Sequence, residues 1–464
     1  MIVKSVLLDK KRYHFTSEKY CNRQNAFTIL VGSNGTGKSR LLKRIVNNIK
    51  NVTQESLHIP ANYSQHMELE YNNRQLSIYS TNSESKSYLV ENKKSKAIHD
   101  KNLKVLAVTT TPFDKFPIES KGKSIFRYHD SDNYKYIGLR VSKNTLNQSN
   151  YLNLLARSCL SKNNDSSKVL SLLNLKEPIE ITFKSKILSP TYTFNDKFEL
   201  RKRAPLSIDA FSKKMALNHI TIYDNICNSS DSKAIIKKAY DCYVKYCMCE
   251  YSVITPGNKD IPTDSIVYLL DLGLINVDNI TFTTIDDVKL SNSDLSSGQK
   301  CMILTILNIA GDISDNCIVC IDEPEISLHP KWQKEFMKTL IDFFSGYKRC
   351  HFIIATHSPL IISELSNENC FILNMDNTSA KDTCNYKNKS SDFQLAEVFG
   401  ITGHNNEYLN RVTVSLLSKL SKSGKLDSHD KSQAKSLIKL SEQMDNGDTV
   451  KELINILSHA LKKV

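Results

Sequence analysis

The sequence predicts an α/β fold, and three observations carry that prediction. Residues 26–31, 317–321 and 351–355 are short, mostly apolar runs of the kind that form strands buried on both faces of a parallel sheet. Each run ends in a turn carrying glycine, paired acids or histidine, which are groups suited to anion binding and acid–base work. Helical patterns follow the first two runs, so the order is strand, functional turn, helix.

Composition bounds the rest. With 464 residues the chain has room for two to four compact units with sizeable cores. Charged residues at 24% and hydrophobic ones at 40% exclude wholesale disorder. No apolar run approaches the ~20 residues that span a bilayer, and the first eleven residues make too short a hydrophobic stretch for export. The expectation is a soluble, cytoplasmic protein without a membrane partner. Twelve cysteines are scattered through the chain, and without an export signal reduced thiols are expected. Cys242, Cys247 and Cys249 lack the second ligand pair that a zinc site needs, so they read as core. Cys317 and Cys320 read as strand residues.

The net charge is +13, and residues 1–115 hold 19 bases against 9 acids. That asymmetry suits a surface facing polyanions such as nucleic acid, and equally a solvated basic surface.

Taken in order, the strand at 26–31 leads through Gly32-Ser33-Asn34-Gly35-Thr36-Gly37-Lys38-Ser39 into a helix over 40–46. A second β-rich run covers 104–108 and ends at Thr111-Pro112-Phe113-Asp114. Mixed signals fill roughly 116–290, with a helical stretch over 232–248 and a turn at Thr255-Pro256-Gly257-Asn258. Leu295-Ser296-Ser297-Gly298-Gln299 then opens a helix over 301–310. The strand 317–321 runs into Asp322-Glu323-Pro324, amphipathic residues follow over 331–344, and the strand 351–355 ends at Thr356-His357-Ser358. Beyond about 376 the chain is rich in Lys, Ser and Asn. Apolar spacing there, at Leu416, Leu417 and Leu420 and at Leu453, Ile454, Ile456 and Leu457, predicts helices. The expected divisions are 1–115, 116–290, 291–375 and 376–464.

Four turns carry chemistry. The first matches G-x-x-x-x-G-K-[ST]. Its glycines let successive N–H groups face phosphate oxygens at a helix N-terminus, Lys38 reaches the β- and γ-phosphates, and the Ser39 hydroxyl ligates Mg²⁺. The second places two acids at the carboxyl end of a strand, where ligands of open α/β sheets bind. Asp322 suits the Mg²⁺ shell, and Glu323 suits deprotonating an attacking water. The third offers a serine hydroxyl and glycine-exposed N–H groups at a helix start, again suited to an anion. The fourth, His357, is placed to hydrogen-bond a γ-phosphate and sense its loss.

In this order the four motifs resemble the ABC-type P-loop ATPase head of the SMC, RecF and OLD-like group. The resemblance covers roughly 1–50 and 290–375, with a long mixed insertion between and a helical C-terminal tail. It implies an ATPase with ATP and Mg²⁺ as ligand and cofactor. Asn34, Gly35, Thr36, Gly37, Lys38, Ser39 and Arg40 would hold the nucleotide, and Ser39 and Asp322 the metal. Glu323 would be the hydrolytic base and His357 the switch. It further implies a homodimer, or a higher even homo-oligomer, in which Ser296 and Gly298 of one copy complete the site of the other.

The stretch from Asp322-Glu323-Pro324-Glu325 through His329-Pro330-Lys331-Trp332-Gln333, with Thr356-His357-Ser358-Pro359, is similar to antiphage defence ATPases of the Septu and retron-associated kind. That resemblance implies a separately encoded effector, of which an HNH-type nuclease is the leading class. A RecF-like DNA repair or maintenance ATPase that clamps nucleic acid directly is the alternative. The second signature position is Ser297 where glycine is usual, and Thr111 to Asp114 stand where a Q-loop glutamine belongs. Residues 376–464 show no nuclease pattern; Asp427-Ser428-His429-Asp430 reads as a turn or helix start.

Overall fold

The structure, a computed structural model, describes residues 1–17, 20, 24–52, 62–81, 86–91, 103–111, 114–118, 133–138, 140–142, 145–146, 148–160, 166–184, 192–194, 200–202, 206–218, 220–228, 231–246, 251–254, 263–363, 365, 369–383, 386 and 389–463. The chain begins with β1 (Ile2–Leu8), β2 (Lys11–His14), β3 (Ala26–Val31) and α1 (Lys38–Lys50). Next come β4 (Ser64–Tyr71), β5 (Arg74–Ser80), β6 (Ser87–Glu91), β7 (Lys104–Thr109) and β8 (Tyr134–Ile137). A ribbon of β9 (Arg140–Ser142) and β10 (Thr145–Leu146) precedes α2 (Gln148–Cys159), α3 (Ser166–Leu172) and β11 (Leu175–Lys184). A second ribbon, β12 (Tyr192–Phe194) and β13 (Leu200–Lys202), is followed by α4 (Ile208–Asn218), α5 (Ile220–Cys227), α6 (Ser232–Tyr246), β14 (Tyr251–Ile254) and α7 (Thr263–Asp271). Then come β15 (Asn276–Thr284), β16 (Lys289–Ser291), α8 (Ser297–Asp312), β17 (Cys317–Asp322), α9 (Pro330–Phe343), β18 (His351–Ala355), α10 (Pro359–Ser363), β19 (Cys370–Asn374) and β20 (Lys381–Asp382). The tail holds α11 (Ser391–Phe393), α12 (Glu407–Ser423), α13 (Ser428–Ser441) and α14 (Thr449–Lys463).

Among the described residues the main sheet has the order β20-β19-β3-β18-β17-β7-β8, parallel throughout except for β20 at its edge. Its central strands are apolar on both faces because both are covered. One face, with Ile29, Val319 and Ile354, packs against α2, α8 and α9 through Leu155, Ile303, Leu307 and Leu340. The other face, with Leu30, Ile318 and Ile353, packs against Leu41, Ile45 and Ile49 of α1. Behind α1 stands a second, antiparallel sheet in the order β2-β1-β4-β5-β6. Helix α1 is thus sandwiched, and each of its fully buried aliphatic side chains contributes about 1.5–3 kcal/mol relative to exposure. The parallel register brings the carboxyl ends of β3, β18, β17 and β7 to one edge, where the motif-bearing turns emerge.

The strand over 351–355 lies where the sequence predicts it. The first helix starts at Lys38, two residues before the apolar periodicity, because Gly37 is its N-cap with φ 104°. The strands β4 to β6 have no counterpart in the sequence reading. Their signal was local: Asn72 and Asn73, both with positive φ, turn a hairpin between alternating Met67, Leu69, Tyr71 and Leu76, Ile78. Asp427 caps α13 through Asp430 N, so that stretch is a helix start. Helices α12, α13 and α14 share a separate core around Leu416, Leu437 and Ile454. Cys242, Cys317 and Cys320 are buried free thiols. Cys247, Cys249, Pro112, Phe113 and the turn at 255–258 lie outside the described residues. Among the described residues no helix is long and apolar enough to cross a membrane.

Candidate functional site

Residues 32–37 join β3 to α1 in a loop that leaves the helix start open. Gly35 and Gly37 have φ of 82° and 104°, conformations that side-chain-bearing residues avoid. Gly37 offers no side-chain cap, so first-turn N–H groups of α1 are available to an anion. Lys38 is buried, and its ammonium donates to the carbonyls of Gly32 (2.8 Å) and Ser33 (3.3 Å) inside the loop. Burial lowers its pKa, partly opposed by Glu323, Asp322 and Glu325. Thr36 folds back onto Ser33 O through its hydroxyl (2.9 Å). Asn34 and Gly35 are exposed at the tip. Arg40 turns away, pairing with Asp9 at 2.8 Å with about half its side chain exposed.

The neighbouring strands complete the constellation. Ser39 Oγ donates to Asp322 Oδ1 at 3.1 Å, joining the two groups expected to share a cation. Burial pushes the Asp322 carboxyl up to about 6 against the Ser39 bond, with Glu323 and Asp114 adding to the rise. A buried carboxylate–hydroxyl pair beside an uncapped helix start fits a magnesium–phosphate ligand, since Mg²⁺ takes few protein ligands and keeps phosphates and waters. Glu323 follows in the left-handed region, φ 53°, held there by its N–H to Ala355 O at 2.9 Å. Such a conformation costs of order 1–3 kcal/mol and is kept where the surroundings over-determine it. His357 Nε2 lies 3.2 Å from Glu323 Oε1, and its Nδ1 lies 3.4 Å from Lys38 Nζ. Burial raises the Glu323 pKa, but the hydrogen bond and charge of His357, then a hydrogen bond with Glu325 and the charge of Lys38, outweigh it and hold the carboxyl below its usual range.

The signature segment stands elsewhere. Ser296 is the N-cap of α8 in a capping box: its Oγ accepts from Gln299 N at 3.2 Å, and its N–H donates to Gln299 Oε1 at 3.0 Å. The hydroxyl hydrogen stays free to donate outward. Ser296 and Gly298 open on a cavity of about 780 Å³ that also holds His329, Lys331 and Trp332. No residue of 32–39 lines it. The structure thus brings Lys38, Ser39, Asp322, Glu323 and His357 together, and sets Ser296 and Gly298 on a different surface.

Three further residues enter that sequence patterns left without a role: Glu325, Gln333 and Trp332. Glu325 Oε1 accepts the His357 N–H at 2.6 Å. Burial, then the charge of Glu323, pushes its carboxyl up to about 7 against hydrogen bonds from His357 N and Thr356. Its only signal was its place two residues beyond Glu323. In the stretch where a Q-loop glutamine was expected, Asp114 is buried, accepting from Phe116 N and Tyr136 Oη at 2.9 Å each.

The family described as AAA ATPase domain matches residues 12–362. Protein ea59 of Escherichia phage lambda is 33% identical over 93 residues, covering 20% of this chain and 18% of ea59. The Retron Vc95 probable ATPase of Vibrio cholerae serotype O1 biovar El Tor is 22% identical over 398 residues, covering 79% of this chain and 72% of that protein. The Retron Ec83 probable ATPase of Escherichia coli is 31% identical over 99 residues, covering 19% and 18%. The chain therefore spans less than a fifth of ea59 and of the Ec83 protein. Among solved structures, the SMC head domain from Thermotoga maritima aligns with a TM-score of 0.34 at 12% identity, covering 82% of this chain and 97% of that one.

Proposed function

Because this chain belongs to the AAA ATPase domain family, we propose that it hydrolyses ATP, and that it does so in a composite site formed by two copies. The observation that carries this reading is the separation just described: the signature tip faces a cavity in which the chain's own phosphate loop has no part. A capped serine and a helix start suited to an anion are useful there only if another molecule brings the phosphates.

In this reading Asn34, Gly35, Thr36 and Gly37 present main-chain N–H groups to the phosphates, and Lys38 exchanges its bonds to Gly32 O and Ser33 O for phosphate oxygens. Arg40, paired with Asp9, stands at the rim of the loop. Ser39 and Asp322 hold Mg²⁺, whose charge screens the phosphates when bound. Glu323, kept ionised by His357 and Lys38, orients the attacking water and takes its proton. His357, between base and lysine, reports whether the γ-phosphate is present. Ser296 and Gly298 of the second copy close over the nucleotide, so binding joins the copies and hydrolysis parts them.

Likeness to two retron ATPases supports a defence role, in which this cycle licenses a separately encoded effector such as an HNH-type nuclease. Affinity purification of the intact chain with its neighbouring reading frame, with and without ATP, tests this. A stable, nucleotide-responsive complex is expected, and its absence under both conditions would contradict the reading. The basic balance of residues 1–115 favours a second reading, a RecF-like repair ATPase clamping nucleic acid directly. That reading requires turnover by the purified chain to rise on adding DNA.

A further inference from the structure

Thr356, His357 and Ser358 leave the carboxyl end of β18, and each of their three amides has a separate partner. Thr356 N donates to Leu30 O of the neighbouring strand at 3.2 Å. Ser358 N donates to the Thr356 hydroxyl at 3.0 Å. The amide between them, on the residue whose ring meets Lys38 and Glu323, has a side-chain acceptor from another loop: Glu325 Oε1 at 2.6 Å.

The same loop is tied to this segment twice more. Glu323 N donates to Ala355 O at 2.9 Å. Ser358 Oγ donates to Gln333 Oε1 at 2.6 Å, and Gln333 Nε2 donates to Leu328 O at 2.9 Å. Between these ties lie Ser327 and Leu328, and the Ser327 carbonyl packs against Gly298 of the signature helix. One short span, 323–328, thus touches both the chain's own His357 and the surface offered to a second copy.

We propose that Glu325 is a positioning residue for ATP hydrolysis: by accepting the main-chain N–H of His357 it sets the histidine ring against Lys38 and Glu323. The inference rests on the reading that His357 acts at the nucleotide. A group held through one hydrogen bond at the end of a strand turns about its own Cα when that bond is lost. A ring displaced by even an ångström no longer meets both Lys38 and Glu323. Glu325 itself does not reach the phosphate loop's donors, so its loss should slow turnover and leave nucleotide binding alone.

The test compares Glu325→Ala, Glu325→Gln and His357→Ala in the full chain, reading steady-state kcat and KM together with affinity for a fluorescent ATP analogue. Glu325→Ala is expected to lose about tenfold or more in kcat, with analogue affinity within about twofold of the parent. Glu325→Gln keeps a carbonyl acceptor for the same N–H and should stay within about threefold of the parent kcat. Should Glu325→Ala fail to fold, Glu325→Asp, whose shorter stem withdraws the acceptor, takes its place with the same expected loss. Parent-like kcat in Glu325→Ala, or in its substitute, beside an impaired His357→Ala would overturn the proposal. So would a fall in Glu325→Gln as deep as in Glu325→Ala, or a parallel loss of analogue affinity. Full turnover in His357→Ala would instead sink the underlying reading of the histidine.

Discussion

The indole of Trp332 occupies the space that a side chain on Gly298 would need. A Cβ at 298 would lie 2.7 Å from Trp332 Cζ3 and 2.9 Å from both Cε3 and the carbonyl oxygen of Ser327. Gly298 sits in the first turn of α8 with helical geometry, so close packing, and not a left-handed backbone, demands glycine there. Gly298→Ala should therefore destabilise the fold by ~1–3 kcal/mol through overpacking and depress ATP turnover by tilting the signature tip. Trp332→Leu in the same chain should recover part of both. Thermal melts and turnover of the two single variants and the double variant check this; a Gly298→Ala chain with parent melting and turnover would contradict it.

Glu323 is strained into place beside His357 while Lys38 sits inside the phosphate loop, so the two substitutions should part company. Lys38→Ala removes the ammonium from the loop and should abolish ATP binding. Glu323→Gln keeps shape and hydrogen bonding but loses the base, and should cut turnover about a hundredfold or more while ATP remains bound. Size-exclusion chromatography with light scattering should then show Glu323→Gln accumulating as a dimer with ATP, and Lys38→Ala remaining unchanged by it.

Glu325 predicts a pH dependence of stability. Its folded value of about 7 lies above the ordinary 4.5 of an unfolded chain, so between those values the native state holds more protons than the unfolded one. By linkage the favourable contribution is complete below about 4.5 and is lost as pH rises through 7. Glu325→Gln cannot ionise and should melt on a flatter pH profile, gaining on the parent as pH rises from 5 to 8 (about those values). Parallel profiles for the two proteins would show that the carboxyl is not held neutral.

Asp312 closes α8 at the end far from the signature. Lys135 Nζ of β8 lies 2.8 Å from it and Arg157 Nη1 of α2 lies 3.7 Å away, with Arg157 Nε also 3.1 Å from Asp271. Burial raises the Asp312 pKa against both Arg157 and Lys104. Removing one member of a buried set strands the others, so Asp312→Ala should cost ~3–5 kcal/mol by chemical denaturation. Loss of less than about 1 kcal/mol, the size of an exposed pair, would contradict this account of the cluster.

Much of the site was legible in the sequence because its parts are local. Three of the four turns, each read from a few consecutive residues, fold to one sheet edge through strands whose apolar runs announce burial, while the fourth, at Ser296 and Gly298, opens α8 on another surface. Of the long-range parts, the meeting of Ser39 with Asp322 was expected only through the family resemblance. The contact from Glu325 to His357 N was not legible, because it goes to backbone and leaves no mark on residue identity at 357. The antiparallel sheet was missed although β4 and β5 alternate polar with apolar side chains as half-buried strands do, because Asn72-Asn73 is a weaker hairpin mark than Asn-Gly. Trp332 stood in the sequence as part of the stretch similar to defence ATPases and of an amphipathic helix; only the fold shows that it faces Gly298.

The central claim is that a phosphate loop and a signature tip from different copies make one site, and mixing two dead proteins tests it most directly. Lys38→Ala and Ser296→Arg should each be inactive alone, for want of the loop lysine or of the tip. Combined and allowed to exchange subunits, they form mixed dimers in which one site pairs an intact loop with an intact tip. The account predicts that ATP turnover returns in the mixture. A mixture as inactive as its parts, with mixed dimers shown to be present, would contradict it.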